Sequence, residues 1–312
     1  NFFQRHFHLA QRSVASKGYL EAVTWSFTDE KIEKLFNSKM TIPIQNPISS
    51  DLNVLRSSIF SNLILYVKKN QDRGYHDFSI FEIGPIFFGK KPGEQKTVIG
   101  GLRSGMLDRK NWNKSGRNFN VFDVKTDTIK TLLELGIKDD DLIVTSESTN
   151  YYHPGRSGSV KFRSESGPKL AFFGEIHPGI TSKLDLNEKN LCGFEIFLDS
   201  IPQPNKKLRV KKQNYLVSTY QKSERDFAFV INKSFRAGEV EKIIKSIDTD
   251  IIKNVKTFDV FEGQNLPEGK KSLAINVTLQ SLNKTLTESD LDSISKKIIE
   301  KVKNKTGATI RS

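Results

Sequence analysis

The sequence predicts an α+β protein, and three observations in its last third predict this most directly. In Val255 to Phe261, and again in Ser272 to Leu279, apolar and polar residues alternate with the two-residue period of a half-buried strand. Residues 262–271 between them carry Gly263, Pro267 and Gly269, which reverse a chain, and close on the pair Lys270-Lys271. Val240, Ile243, Ile244 and Ile247 stand at helical spacing, as do Leu291, Ile294, Ile298 and Val302. Helices and strands are therefore interleaved around a hairpin with a basic rim.

The remaining pieces of that region complete a pattern. Arg225 to Val230 reads as a strand before the helix Glu239 to Ile247. Thr287, with Asp290 three residues on, starts the second helix as a capping box, and Ala308 to Arg311 supplies a last strand. The order strand, helix, strand, strand, helix, strand predicts a ferredoxin-like βαββαβ domain over residues 218–312. Its four-stranded antiparallel sheet carries both helices on one face.

Residues 1–200 read as a separate domain. Asn1 to Ser16 is predicted helical, with Gly18 as its stop. His6 and His8, two apart on a helix, point to different sides and do not clamp one metal ion. Glu21 to Phe27 and Met40 to Ile44 are predicted strands, and Asp29 caps a helix Glu30 to Phe36. After a turn at residues 46–49, Leu52, Leu55, Ile59, Leu63 and Val67 form a stripe that predicts a helix over Asp51 to Lys69. Phe78 to Phe88 is nearly all apolar, as a strand covered on both faces must be. Its one carboxylate, Glu82, is expected to pair with Arg56 or Arg103. Thr97 to Leu102 and Phe119 to Val124 are further predicted strands, followed by a helix Thr126 to Leu135 that Gly136 ends. Two readings stand for Tyr152 to Gly158: His153, Arg156 and the glycines cradle an anion, or they make a tight strand start with Arg156 on Glu175. Lys169 to Phe173 is a strand, Gly174 to Gly179 its turn, and Cys192 to Leu198 the last strand.

Composition sets the frame. A chain of 312 residues with 36% hydrophobic and 10% aromatic residues is large enough for two domains with real cores. The single Cys192 has no disulfide partner within the chain and fits a reducing compartment, so cytoplasm is expected. No apolar run approaches the roughly 20 residues of a membrane span. Residue 1 is Asn, inside a predicted helix, so the chain is expected to be a piece of a longer protein. The net charge of +13 is uneven: residues 206–312 hold 22 Lys and Arg against 13 Asp and Glu. That surplus of nine, on a small domain, is the footprint of a polyanion partner or of a solvated lysine-rich surface. Residues 201–217 form a linker with two prolines and then five basic residues within seven positions.

Five segments, RDFAFVI, FDVFEG, LPEGKKSLAINVTLQ, TLTESDL and GATIR, resemble in order and spacing the ferredoxin-fold anticodon-binding domain of bacterial phenylalanyl-tRNA synthetase beta subunits. One departure is Tyr220-Gln221, where the family has an aromatic followed by proline. Upstream, NPISSDLNVLRSSI, FSIFEIGPIFF, YYHPGRSG, FFGEIHPGI and GFEIFLD resemble the domain that precedes it in the same family. The resemblance implies a class II synthetase-like antiparallel sheet with flanking helices over residues 1–200, in a copy that has lost catalysis. An active class II site needs an arginine on its motif 2 strand and a glycine-rich segment ending in arginine. FSIFEIG offers Glu82 and no arginine, and no such glycine-rich segment stands near Cys192 to Leu198.

By that resemblance the parent enzyme joins phenylalanine to tRNA(Phe) with ATP and magnesium, in an (αβ)2 heterotetramer. This chain is expected to hold no cofactor, to be inactive alone, to brace the alpha subunit and to bind the tRNA anticodon region. A scaffold with only nonspecific RNA contact is the alternative, and neither DNA nor membrane is an expected partner. The family's N-terminal tRNA-binding module, editing domain and magnesium-binding domain have no counterpart here. Single-stranded bases are held by stacking on aromatics with cations on their phosphates. The residues expected to touch RNA are accordingly Tyr220 and Ser218 on the approach strand, with Arg225, Lys270, Lys271 and Arg311 as cations. Asp226 and Asp259 compete for Arg225.

Overall fold

A computed structural model describes residues 2–39, 41–186, 190–203, 216–263 and 266–311. The chain divides into two units, Asn1–Asn205 and Lys206–Ser312. The basic run at residues 206–212 lies outside the described residues.

In the first unit, α1 (Phe2–Ala15) ends before Gly18, whose φ of +87° suits glycine. Of the predicted strand Glu21 to Phe27, only the two ends are extended pairs, β1 (Leu20–Glu21) and β2 (Phe27–Thr28). The middle is held by a side chain instead: the Thr24 hydroxyl accepts from Arg56 Nη1 at 2.9 Å. Asp29 caps α2 (Glu30–Phe36) as expected, accepting from the Lys31 amide at 2.6 Å. β3 (Ile42–Pro43) and β4 (Val54–Leu55) join β2 in a small sheet of order β2-β4-β3.

The long helix predicted from Asp51 is α3 (Phe60–Gln71), and its first third is not helical. Val54 and Leu55 pair with β2 on one side and β3 on the other, and the Ser58 hydroxyl accepts from the Phe60 amide at 3.1 Å where the helix starts. The apolar spacing of Leu52 and Leu55 is a coincidence of strand and loop.

β5 (Phe78–Phe87), β6 (Gln95–Ser104), and a short hairpin of β7 (Met106–Asp108) and β8 (Arg117–Asn118) follow. The strand predicted at Phe119 to Val124 is instead the start of α4 (Val121–Glu134), because Asn120 and Asp123 form a reciprocal capping box. β9 (Leu142–Thr145), β10 (Tyr152–Phe162) and β11 (Lys169–Ile176) come next. The turn expected at Gly174 to Gly179 is the end of β11 followed by α5 (Pro178–Lys183), with Pro178 in the first helical turn, where its missing N–H costs nothing. β12 (Cys192–Phe197) completes the unit.

The large sheet has the order β1-β5-β6-β12-β11-β10-β9, antiparallel except for β1 against β5. Both faces are covered. One packs Phe81, Ile99, Ala171 and Phe194 against Ala10 and Val14 of α1 and Val124 and Leu132 of α4. The other packs Ile80, Val98, Leu102 and Phe172 against Phe36 of α2 and Ile59, Phe60, Leu63 and Ile64 at α3. Contact there is with bare backbone: a Cβ at Gly100 would lie 2.9 Å from Ile59, and one at Gly193 2.8 Å from Phe60.

Arg56 and Glu82 meet as expected, Nη1 to Oε1 at 2.8 Å, with both side chains buried. The guanidinium also donates to the Pro85 carbonyl, and Glu82 accepts from Thr24 at 2.6 Å. Gly84 makes room for it, since a Cβ there would lie 2.4 Å from Nη2.

The second unit consists of β13 (Ser223–Asn232), α6 (Ala237–Lys245), β14 (Ile252–Phe261), β15 (Lys270–Leu279), α7 (Glu288–Thr306) and β16 (Thr309–Ile310). Its sheet order is β14-β15-β13-β16, antiparallel throughout, which is the expected split βαβ arrangement. Thr287 and Asp290 form the capping box that starts α7, and Gly307 ends it with φ +67°. Lys270 and Lys271, expected in the reversing loop, are the first residues of β15. No helix among the described residues is long and apolar enough to cross a membrane.

Two predictions follow from the buried charges of the first unit. Arg56→Met leaves Glu82 buried without its cation and should cost that unit about 3–5 kcal/mol in denaturant unfolding, while Arg56→Met with Glu82→Leu should recover much of the loss. Glu195 is buried, accepting from Ser58 Oγ at 2.7 Å and Tyr151 Oη at 2.5 Å. Burial raises its pKa above the ordinary 4.5, against those hydrogen bonds and with help from the Glu33 charge. The folded state therefore holds this proton more tightly than the unfolded chain, so its stabilisation is complete below the ordinary value and is lost as pH rises through the raised one. Glu195→Gln should gain stability relative to the parent as pH rises above the ordinary glutamate value, and parallel pH profiles would contradict the assignment.

Candidate nucleic-acid interface

Alternation along β13 and β15 sorts the second unit into two faces. Phe227, Phe229 and Ile231, with Leu273, Ile275, Val277 and Leu279, pack against Val240 and Ile244 of α6 and Leu291, Ile294, Ile298 and Val302 of α7. The residues between them face the other way: Asp226, Ala228 and Val230 stand opposite Asn276, Ala274 and Ser272. Lys256 lies opposite Asn276 on β14, and Asn276 Nδ2 donates to Asp226 at 2.7 Å. Among the described residues, no helix covers this second face.

The six residues expected to touch RNA do not converge. Ser218 and Tyr220 lie at one end of the sheet: the Ser218 hydroxyl donates to the Ser281 carbonyl at 2.7 Å and accepts from the Tyr220 amide, while the Tyr220 carbonyl accepts from Gln280. These bonds fix the approach segment, and the Tyr220 ring is half-buried. Lys270 and Lys271 lie at the other end, opposite Asn232 and Ile231. The ten residues of β13 separate the two groups by about 30 Å. Sequence adjacency to turns hid this distance.

Arg225 is on the helix side. Its guanidinium pairs with Glu288 at 2.6 Å, at the start of α7, rather than with Asp226 or Asp259. Lys284 and the Thr287 cap, close by in sequence, hold Asp290 down to about 2. Lys271 donates to the Lys233 carbonyl at 3.1 Å. Arg311 is exposed, and its guanidinium lies 5.2 Å from the centre of the Phe261 ring. It thus brings the residue after β16 against a ring on β14, the far edge strand of the sheet. Phe261 and Phe258, both exposed, were missed as candidates. The β14 register shift between Thr257 and Asp259 breaks the alternation that would have placed them, although the aromatic spacing in FDVFEG was visible.

In the first unit the charged side chains of the candidate clusters are paired, although buried oxygens such as Tyr152 Oη and Thr28 Oγ1 have no hydrogen-bond partner. Arg156 grips Glu175 through two bonds, 2.6 and 3.0 Å, and the His153 ring accepts from the Gly155 amide, so this cluster has the geometry of a braced strand start. Arg103 pairs with Asp127 at 3.0 Å and stacks on Tyr19. Burial pushes the Cys192 thiol up to about 12. No group of three or more His, Cys, Asp or Glu converges among the described residues.

Two family models match the chain. The phenylalanyl tRNA synthetase beta chain CLM domain matches residues 1–198, and the ferredoxin-fold anticodon binding domain matches residues 218–311. The phenylalanine--tRNA ligase beta subunit of Paramagnetospirillum magneticum is 38% identical over 309 residues, covering 99% of this chain and 38% of the relative. That of Brucella abortus is 38% identical over 97% of this chain and 38% of the relative. The structure of a pyrrolysyl tRNA synthetase from Desulfitobacterium hafniense aligns over 64% of this chain and 66% of that chain, at 14% identity and a TM-score of 0.47. The chain thus spans well under half the length of the curated relatives it matches. With both domain models in sequence order and relatives along nearly its whole length, the chain belongs to the phenylalanyl-tRNA synthetase beta-chain family.

Proposed function

We propose that this chain is a non-catalytic part of a phenylalanine-tRNA ligase that binds the tRNA anticodon region and braces the alpha subunit. The observation that carries the reading is the asymmetry of the second unit, whose sheet has helices on one face and leaves Lys256, Asn276, Phe261 and Arg311 on the other. Small residues at its centre, Ala228 and Ala274, leave a shallow surface on which bases can lie, and the charge surplus of this unit attracts the phosphates. Tyr220 and Ser218 serve one end of that surface; Lys270 and Arg311 serve the other, with Phe261 as a second stacking ring, and Lys271, in the row that faces the helices, adds charge at the rim. Arg225 acts through Glu288, holding the sheet to α7.

The first unit supports the scaffold role. Ile59 and Phe60 stand against the sheet at Gly100 and Gly193, and Glu82 is engaged by Arg56, so these residues do not fit ATP or magnesium. Both are assigned to the alpha subunit of an (αβ)2 assembly. Leu20, Val23 and Trp25 are 72%, 86% and 64% exposed on the segment after α1 and fit an apolar partner surface.

The test is tRNA binding by the purified chain at two salt concentrations, with tRNA(Phe) and a version altered only in its anticodon. Native tRNA should bind more tightly, and the difference should survive the higher salt. Tyr220→Ala should lower affinity roughly tenfold and reduce that discrimination, whereas Lys270→Ala should lower the log–log salt slope by about one and leave discrimination intact. Equal binding of both tRNAs that vanishes with salt would leave only the scaffold role.

A further inference from the structure

Trp112 is 98% exposed at the tip of the β7–β8 hairpin, more than any other large apolar side chain among the described residues. The tip is nonetheless ordered. The Asn111 amide donates to the Lys114 carbonyl at 3.0 Å, the Lys114 amide returns the bond at 3.3 Å, and the Asn111 side-chain oxygen accepts from the Asn113 and Lys114 amides at 2.9 and 3.0 Å. Below the tip, Arg109 reaches Asp77 at 3.2 Å, and Arg117 grips Asp123 through two bonds of 2.7 and 2.8 Å. Burial alone would raise the Asp123 carboxyl, but those bonds and the Asn120 amide hold it below its ordinary value. A braced stem therefore displays the indole to solvent.

Four cations, Arg109, Lys110, Lys114 and Arg117, lie within nine positions around the tip, against Asp108 alone. The two arginines are engaged by Asp77 and Asp123. Lys110 and Lys114 are exposed and make no ion pair among the described residues. An exposed ring on a braced turn, flanked two residues to either side in sequence by unpaired lysines, matches single-stranded nucleic acid, where a base stacks on the ring and the flanking phosphates meet the cations. Protein interfaces are depleted in lysine, which argues against an apolar protein partner at this tip.

We propose that the β7–β8 tip is a second nucleic-acid contact, outside the anticodon-binding unit, with Trp112 taking an unstacked base and Lys110 and Lys114 the adjoining phosphates. It rests on the reading above for RNA as the ligand, and the test separates the two. The chain has two tryptophans, so Trp25→Phe leaves Trp112 as the only indole reporter. Titrating that variant with tRNA(Phe), and with a short oligouridine, should quench Trp112 emission saturably. In the parent chain, Trp112→Ala should weaken RNA binding roughly fivefold or more, and Lys110→Ala with Lys114→Ala should lower the salt slope by about one to two. Since Trp112 touches neither core, its unfolding transition should be unchanged. Unmoved emission with RNA, and full affinity in Trp112→Ala while Tyr220→Ala binds weakly, would overturn this proposal alone. Full affinity in both variants would overturn the anticodon reading as well. Emission that responds to an added alpha subunit and not to RNA would assign the tip to a protein contact and overturn the proposal.

Discussion

The seven-stranded sheet of the first unit is packed on both faces, and that double coverage decides where anything else can happen there. Helix α3 approaches so closely that Gly100 and Gly193 leave no room for a side chain, and Ile59 and Phe60 take the space above them. Close packing of this kind supplies stability through dispersion and burial. Several ionisable groups inside are held by pairing: Arg56 with Glu82, Arg103 with Asp127, and Glu195 with the Tyr151 and Ser58 hydroxyls. The two tryptophans, Trp25 after β1 and Trp112 in the β7–β8 hairpin, stand outside this packing and are exposed.

The second unit solves a similar packing problem with half the coverage. Its apolar rows meet α6 and α7, while the rows between them alternate small and polar residues that need no cover. An uncovered sheet face is stable in water when its side chains are polar, and the same property makes it available to a polar ligand. Charge then favours a polyanion, because residues 206–312 carry nine of the chain's thirteen surplus positive charges, five of them in the linker run at 206–212.

Much of this was legible in the sequence, and the failures have local causes. The order of elements in the second unit, the Thr287–Asp290 capping box, the Asp29 cap, the buried strand at Phe78 and the Arg56–Glu82 pair all follow from short-range rules that the structure obeys. The predicted helix at Asp51 failed because tertiary pairing of Val54 and Leu55 overrode an apolar spacing that fits a helix equally well. At Phe119 to Val124 the signal was present but outweighed: the Asn120–Asp123 box starts a helix beneath an apolar run that reads as strand. The candidate site was legible in its chemistry and not in its geometry. Tyr220 and Lys270 are both turn-proximal in sequence, yet a full strand separates them, and the β14 bulge concealed Phe258 and Phe261.

Ligands are expected to meet this chain at the uncovered sheet face and the hairpin rims, and not within the large sheet. Hydrogen–deuterium exchange of the purified chain, alone, with tRNA(Phe), and with ATP plus phenylalanine, tests it most directly. The tRNA should slow exchange in residues 218–225, 256–261 and 270–276, and ATP with phenylalanine should change nothing in β6 or β12. Protection of β6 and β12 by ATP and phenylalanine, with no tRNA effect on the second unit, would contradict it.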